Sequence, residues 1–137
     1  MSQSESNVDI VRRLFSGAPP SDDAELAAFV SRYIDPDASL SYPGSAPIPF
    51  ARTWHGHAGF SEFLATFNRE VETLRLEVSQ IGGAGDEVFI RGFTEGRVRA
   101  TGKVYGSPWL LVWTLRDGRV TQMLEYHDTQ AIAHAFA

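Results

Sequence analysis

Trp113-Thr-Leu-Arg-Asp-Gly-Arg-Val-Thr-Gln-Met-Leu-Glu-Tyr-His-Asp-Thr129 decides the fold. Apolar and polar residues alternate on either side of Asp117-Gly118, a dipeptide that favours the positive φ angles of a tight hairpin turn. The returning strand carries Glu125 and His127 two residues apart, so both project from one face of the sheet. Downstream, Asp128-Thr129 reads as the cap and first turn of a short closing helix.

Working outward, the strand pattern extends back to about Leu74. Leu74, Leu76, Val78 and Ile81 form one run, closed by Gly82-Gly83-Ala84-Gly85. Val88 to Ala100 forms a second. Its even positions (Val88, Ile90, Gly92, Thr94, Gly96, Val98, Ala100) are small or apolar and are expected to face the helices. Gly92 and Gly96 inside a strand mark bulges or bends, hence a curved sheet. A turn near Thr101-Gly102-Lys103 leads to a third run, Trp109 to Arg116. All four strands of this half are expected to be antiparallel.

Upstream, the period changes to that of helices. Residues 1–6 are polar and read as a frayed, disordered tail. Val8, Val11, Leu14 and Phe15 predict a helix from about Asn7 to Phe15, ended by Gly17 and Pro19-Pro20. A second helix begins at Ser21-Asp22-Asp23, buries Leu26, Phe29, Val30 and Tyr33, and stops at Asp35-Pro36. A short strand, Ala38 to Tyr42, precedes a Pro/Gly/Ser-rich loop over 43–49. A third helix follows His55-Gly56 and buries Phe60, Phe63, Leu64, Phe67 and Val71. The order predicts one α+β domain over 1–137, a curved antiparallel sheet wrapped around three helices.

Composition narrows the function. At 43% hydrophobic and 21% charged residues, the chain can bury a core and stay soluble. A net charge of −5 argues against a nucleic-acid partner. Arg91, Arg97 and Arg99 beside Phe89 and Phe93 therefore read as a solvated or subunit-facing sheet surface. No apolar run is long enough for a transmembrane helix, and no signal peptide is recognisable. The absence of cysteine excludes disulfides and thiolate chemistry and makes cytoplasmic residence the default expectation. His55-Gly-His57 is a weak metal signal, since zinc needs three or four protein ligands. No metal site is expected. The glycines at 82, 83 and 85 do not sit between a strand and a helix, so no nucleotide loop is expected.

Taken together, Gly56, Thr101-Gly102, Arg116-Asp117-Gly118-Arg119-Val120 and Glu125-Tyr126-His127-Asp128 resemble the SnoaL-like family of the nuclear transport factor 2-like superfamily. The resemblance covers about residues 7–136. It implies a cone-shaped barrel with an internal pocket, and isomerase or cyclase chemistry performed without metal or cofactor. By likeness to the limonene-epoxide hydrolases of that superfamily, Glu125 takes the position of the aspartate that acts as the base on water, with Met123 on the same face and His127 beyond it. The arginine and second aspartate of the hydrolase fall at Gly92 and Thr94, so epoxide hydrolysis by that mechanism is not expected. The hydrolase's tyrosine–asparagine pair falls at Leu40 and Tyr42. Trp109, Leu111 and Trp113 are expected to line the wall, and Ile132 to close the mouth.

Glu125 on an apolar face is the expected acid or base, since burial favours the neutral carboxyl. Tyr42 and His127 are its expected assistants. Each has a plainer reading: Glu125 at a wet rim beside an arginine, His127 and Tyr42 as packing residues, Asp128 as a helix cap. Two functions stay open. One is an enzyme moving protons on a small apolar or polycyclic carbonyl compound. The other is a non-catalytic binding or dimerisation module. Gln122, Leu124 and Tyr126 with Phe89 and Phe93 make the outer sheet face unusually apolar, which predicts a homodimer.

Overall fold

The computed structural model describes residues 3–16 and 22–137. The expected helix stop at Gly17 and Pro19-Pro20, and the expected capping role of Ser21, lie outside them. The elements are α1 (Gln3–Ser16), α2 (Asp23–Tyr33), β1 (Ile34–Ser41), β2 (Thr53–His55), α3 (Gly56–Glu70), β3 (Val71–Ala84), β4 (Glu87–Val98), β5 (Val104–Arg116), β6 (Arg119–His127) and α4 (Thr129–Phe136). The six strands form one curled, unclosed sheet in the order β2-β1-β6-β5-β4-β3. No described helix is long and apolar enough to cross a membrane.

The Asp-Gly hairpin forms as expected. Asp117 and Gly118 have φ of 53° and 78°, and β5 and β6 pair antiparallel from Arg116↔Arg119 to Trp109↔His127. Asp22 accepts the Glu25 backbone N–H at 2.7 Å, and Asp128 accepts that of Ala131 at 3.1 Å; both act as helix caps. On β4, Val88, Ile90 and Val98 are fully buried, and Gly92 and Gly96 share their inward face.

Several boundaries differ from the sequence reading; Val71, expected on the buried stripe of the third helix, instead opens β3, its backbone extended as suits a β-branched residue. α1 begins at Gln3 rather than near Asn7, because the polar run holds no Gly or Pro to break it. β1 begins at Ile34, since the residue before Pro36 prefers extended backbone and so starts the strand where the helix stops. β2 has only three residues, too few to show a period, and adds an edge through Leu40↔Trp54. β5 starts at Val104, which puts Tyr105 and Ser107 in the sheet.

One pairing was not foreseen at all. β1 runs parallel to β6, with Leu40 opposite Met123 and Ser41 opposite Leu124. The β3 bulges lie beside the two strand glycines, between Thr73 and Arg75 opposite Gly96, and between Val78 and Gln80 opposite Gly92. There the sheet bends. β3 is an edge strand, and its Leu74, Leu76 and Val78 are exposed.

The proline-rich loop is anchored. Its Ile48 is buried and Phe50, just beyond, is fully enclosed. Phe50 meets Tyr42 edge-on at 4.8 Å and also packs against Phe67 and Phe136. The Tyr42 N–H donates to the Arg52 carbonyl across the loop's base at 3.1 Å. The segment is a packed connection.

Candidate functional site

The parallel β1–β6 pairing brings Tyr42, just past the end of β1, beside the end of β6. The Tyr42 ring stacks on the His127 imidazole, with centroids 4.5 Å apart and planes 16° from parallel. His127 Nε2 in turn meets Glu125 Oε1 at 2.8 Å. The side chains of His127 and Glu125 are only 9% and 12% exposed, so this is an enclosed pair rather than a wet rim. The second carboxylate oxygen, Oε2, has no hydrogen-bond partner among the described residues, and His127 Nδ1 is buried without one.

Backbone geometry fixes the pair. Ser107 Oγ accepts the Asp128 N–H at 2.9 Å and donates to the Pro108 carbonyl at 2.8 Å. That fully buried serine pins the joint where β6 ends and α4 begins, one residue past His127.

Glu125, His127 and Tyr42 line a cavity of about 210 Å³, together with Thr94, Trp109 and Leu111. Of the remaining expected pocket residues, Leu40, Met123 and Ile132 lie in the core behind the floor and do not reach the cavity. Ile132 is fully buried and closes no mouth. Trp113 packs against Phe15 at 5.5 Å instead of forming wall. The sequence reading missed Phe15, Phe63, Leu64, Phe67, Thr73, Leu76 and Tyr105 as lining residues. The phenylalanines of α3 read as plain core, and they serve both. Tyr105 was detectable, since it shares the period-2 face of Trp109 and Leu111.

The lining is almost wholly apolar, which magnifies the few polar groups. Burial, and then the charge of Glu125 and the neighbouring Tyr105, push the Tyr42 phenol far above its ordinary value. Burial alone pushes Tyr105 up to about 12. Both therefore stay protonated, as hydrogen-bond donors, throughout the physiological range.

The positions that in the hydrolase hold an arginine and an aspartate are otherwise employed. The space over Gly92 is filled by the Trp109 indole, and a Cβ there would collide with it and with the Glu77 carbonyl. The Thr94 hydroxyl donates to the Arg75 carbonyl at 2.9 Å. His57 Nε2 lies 2.6 Å from the Ile34 carbonyl, a structural tie from α3 to β1, while His55 is exposed. No three His, Asp or Glu side chains converge among the described residues.

A sequence profile of the SnoaL-like domain matches residues 11–123. The chain belongs to the SnoaL-like family. Among solved structures, an NTF2-like protein from Burkholderia xenovorans is similar at 28% identity over 98% of both chains, with a TM-score of 0.84. TerC, crystallised with polyporic acid, is similar at 26% identity over 96% of this chain and 98% of that one, with a TM-score of 0.76. A SnoaL-like polyketide cyclase, so described, from Jannaschia sp. CCS1 shares the fold at 20% identity over 99% and 95% of the two chains, with a TM-score of 0.77. In sequence, no curated protein matches. This SnoaL-like chain thus has the family's curled sheet, with a carboxylate, an imidazole and two phenols around one apolar hollow.

Proposed function

We propose that this protein is an isomerase- or cyclase-type enzyme that moves protons on a small, apolar, carbonyl-bearing substrate using its own side chains. The observation that carries the reading is the enclosed Glu125–His127 pair, with one carboxylate oxygen unpartnered at the wall of an apolar cavity. Oε2 of Glu125 takes a proton from the carbon next to a ketone, and the C–H electrons move onto the carbonyl oxygen as an enolate. Tyr42, kept protonated by burial, donates a hydrogen bond to that oxygen. His127 holds Oε1 and so aims Oε2. Return of the proton to a different carbon gives an isomer. Attack of the enolate carbon on a second carbonyl gives an aldol-type ring closure, with the proton ending on the new alkoxide.

Cavity size selects the substrate. About 210 Å³ lies below the roughly 300–1,000 Å³ typical of pockets for drug-sized ligands, so one- or two-ring ketones fit better than larger polycycles. The first test is exchange of the hydrogens next to the carbonyl for deuterium from solvent, followed by NMR over a panel of such ketones. Glu125→Gln is expected to slow the enzyme-dependent exchange by about 10²–10⁴-fold while circular dichroism stays unchanged. Equal rates in the two proteins would sink the proposal.

A homodimer through the outer face of the sheet completes the reading. Phe89, Leu110 and Tyr126 are exposed there, with Leu124 and Phe93 half-buried around them. Several of the face's charges are paired, Arg75 with Glu95 at 3.1 Å and Arg97 with Glu72 at 2.8 Å. That arrangement suits a protein surface better than a phosphate backbone.

A further inference from the structure

The cavity opens at β3. Among its described lining residues only Thr73 and Leu76 are exposed, both on that strand, whereas the other lining residues are buried or half-buried. The opening therefore lies at the edge of the sheet, away from Glu125: β5 and β4 stand between β6 and β3, a separation of about 14 Å along the sheet at the usual strand spacing. Leu76 belongs both to the lining and to the surface, with 59% of it exposed. Val78 shares its face, since Leu76 stands opposite Thr94 and Val78 opposite Gly92 in the β3–β4 register.

The helices leave this strip bare. α3 stops where the strand starts, the Val71 N–H donating to the Phe67 carbonyl. α1 reaches only the far part of β3, where the Arg12 guanidinium donates to the Ile81 carbonyl at 3.4 Å. Residues 73–80, between those points, are all exposed. An edge strand ordinarily guards such a stretch with charge. β3 does so on its other face: Arg75 pairs with Glu77 and with Glu95, each at 3.1 Å, and its guanidinium lies over the Phe93 ring. Nearby hydroxyls are committed too, that of Thr94 to the Arg75 carbonyl and that of Ser79 to the Arg91 carbonyl. Leu76 and Val78 thus offer apolar surface that gains most from being covered by an apolar, uncharged group.

We infer that Leu76 and Val78 form a second subsite, which holds an apolar arm of the substrate projecting out of the cavity on the side of the ring away from the carbonyl. The inference rests on the proton-transfer reading for which end of the ligand faces Glu125. Continuity carries it: the strip begins at a residue that lines the cavity, so a ligand leaving toward β3 meets apolar surface at once. Same-face neighbours on a strand are about 6.6 Å apart, the length of roughly five methylenes. Past Val78 the strand bulges and continues with Ser79 and Gln80, which ends the strip. The substrate class is therefore a compact ring ketone bearing an alkyl arm of about that length.

The probes are 4-methyl-, 4-propyl-, 4-pentyl- and 4-heptylcyclohexanone, whose arm points directly away from the carbonyl, titrated by calorimetry. Affinity should rise about two- to fourfold per methylene as far as pentyl and then level off. Leu76→Gln and Val78→Thr should each lower the ratio of pentyl to methyl affinity by about threefold or more, a ratio in which any general weakening cancels. Both positions are exposed, so circular dichroism should not change. Val104→Thr, at an equally exposed apolar residue on β5 that does not line the cavity, should leave the ratio as it is. No binding by any member, a ratio unchanged in Leu76→Gln and Val78→Thr, or affinity that keeps climbing through heptyl would overturn the subsite. A fall in molecular mass on Leu76→Gln would overturn it too, assigning the strip to a second copy of the chain. Unchanged deuterium exchange in Glu125→Gln would instead defeat the proton-transfer reading, leaving the affinity ratios to judge the strip separately.

Discussion

At the scale of single residues, the site is a small set of polar atoms made strong by what surrounds them. The apolar lining deprives the phenols of water, and this has a pH signature independent of any substrate. An unfolded tyrosine ionises near 10, whereas Tyr105 in the fold ionises at about 12 and Tyr42 higher still. Above pH 10 the unfolded chain therefore binds fewer protons than the native one, so stability falls as pH rises. The contribution is fully present below pH 10 and is lost as pH climbs through the folded values. Each such tyrosine steepens the loss by about 1.4 kcal/mol per pH unit. Denaturant titrations at pH 9 to 11.5 should show this decline. Tyr105→Phe should make it shallower, and an identical slope would contradict the burial.

At the scale of elements, the cavity depends on close contact between β4 and β5. Gly92 faces Trp109 and Gly96 faces Tyr105, so each glycine accommodates an aromatic ring from the next strand. Gly92→Ala would drive a methyl into the indole and the Glu77 carbonyl. Overpacking of that kind costs typically 1–3 kcal/mol, so thermal unfolding should show a drop of several degrees. An unchanged midpoint would mean that β3 moves away freely. Strands β3 to β6, α4 and its Asp128 cap were legible because local rules govern them: alternation, an Asp-Gly turn, a carboxylate before a helix. β2 was too short to carry a period. The parallel β1–β6 pairing left no trace because nothing local encodes which distant strand becomes a neighbour. Tyr105 shares the period-2 face of Trp109 and Leu111, but the space over Gly96 that seats its ring is a property of two strands in register. Glu125 and His127 were readable because both sit on one strand, whereas Ile132 was misplaced because the tilt of α4 is set by tertiary packing.

At the scale of the whole molecule, the sheet has two faces with different tasks. The inner face is filled by helices and holds the cavity, while the outer face exposes Phe89 and Leu110 at 37% each and Tyr126 at 52%. Light scattering coupled to gel filtration is expected to return twice the 15.1 kDa chain mass. Leu110→Glu, a charge in the centre of that patch, should return the single-chain mass. A monomeric parent protein would refute the interface. The inner and outer faces meet in Trp109 and His127, which border both the internal cavity and a shallow outer groove beside Tyr126.

The parallel seam between β1 and β6 also sets an order in time. β3, β4, β5 and β6 follow one another through short turns, so they can zip together soon after one another. Leu40 and Met123 are far apart along the chain, and closing the loop between them carries a larger entropic cost. Tyr42 can reach its place on His127 only once that loop has closed. A chain caught halfway through folding would thus own its hairpins and its Glu125 but no finished site. On the proton-transfer reading, the site would be complete only when that seam has closed.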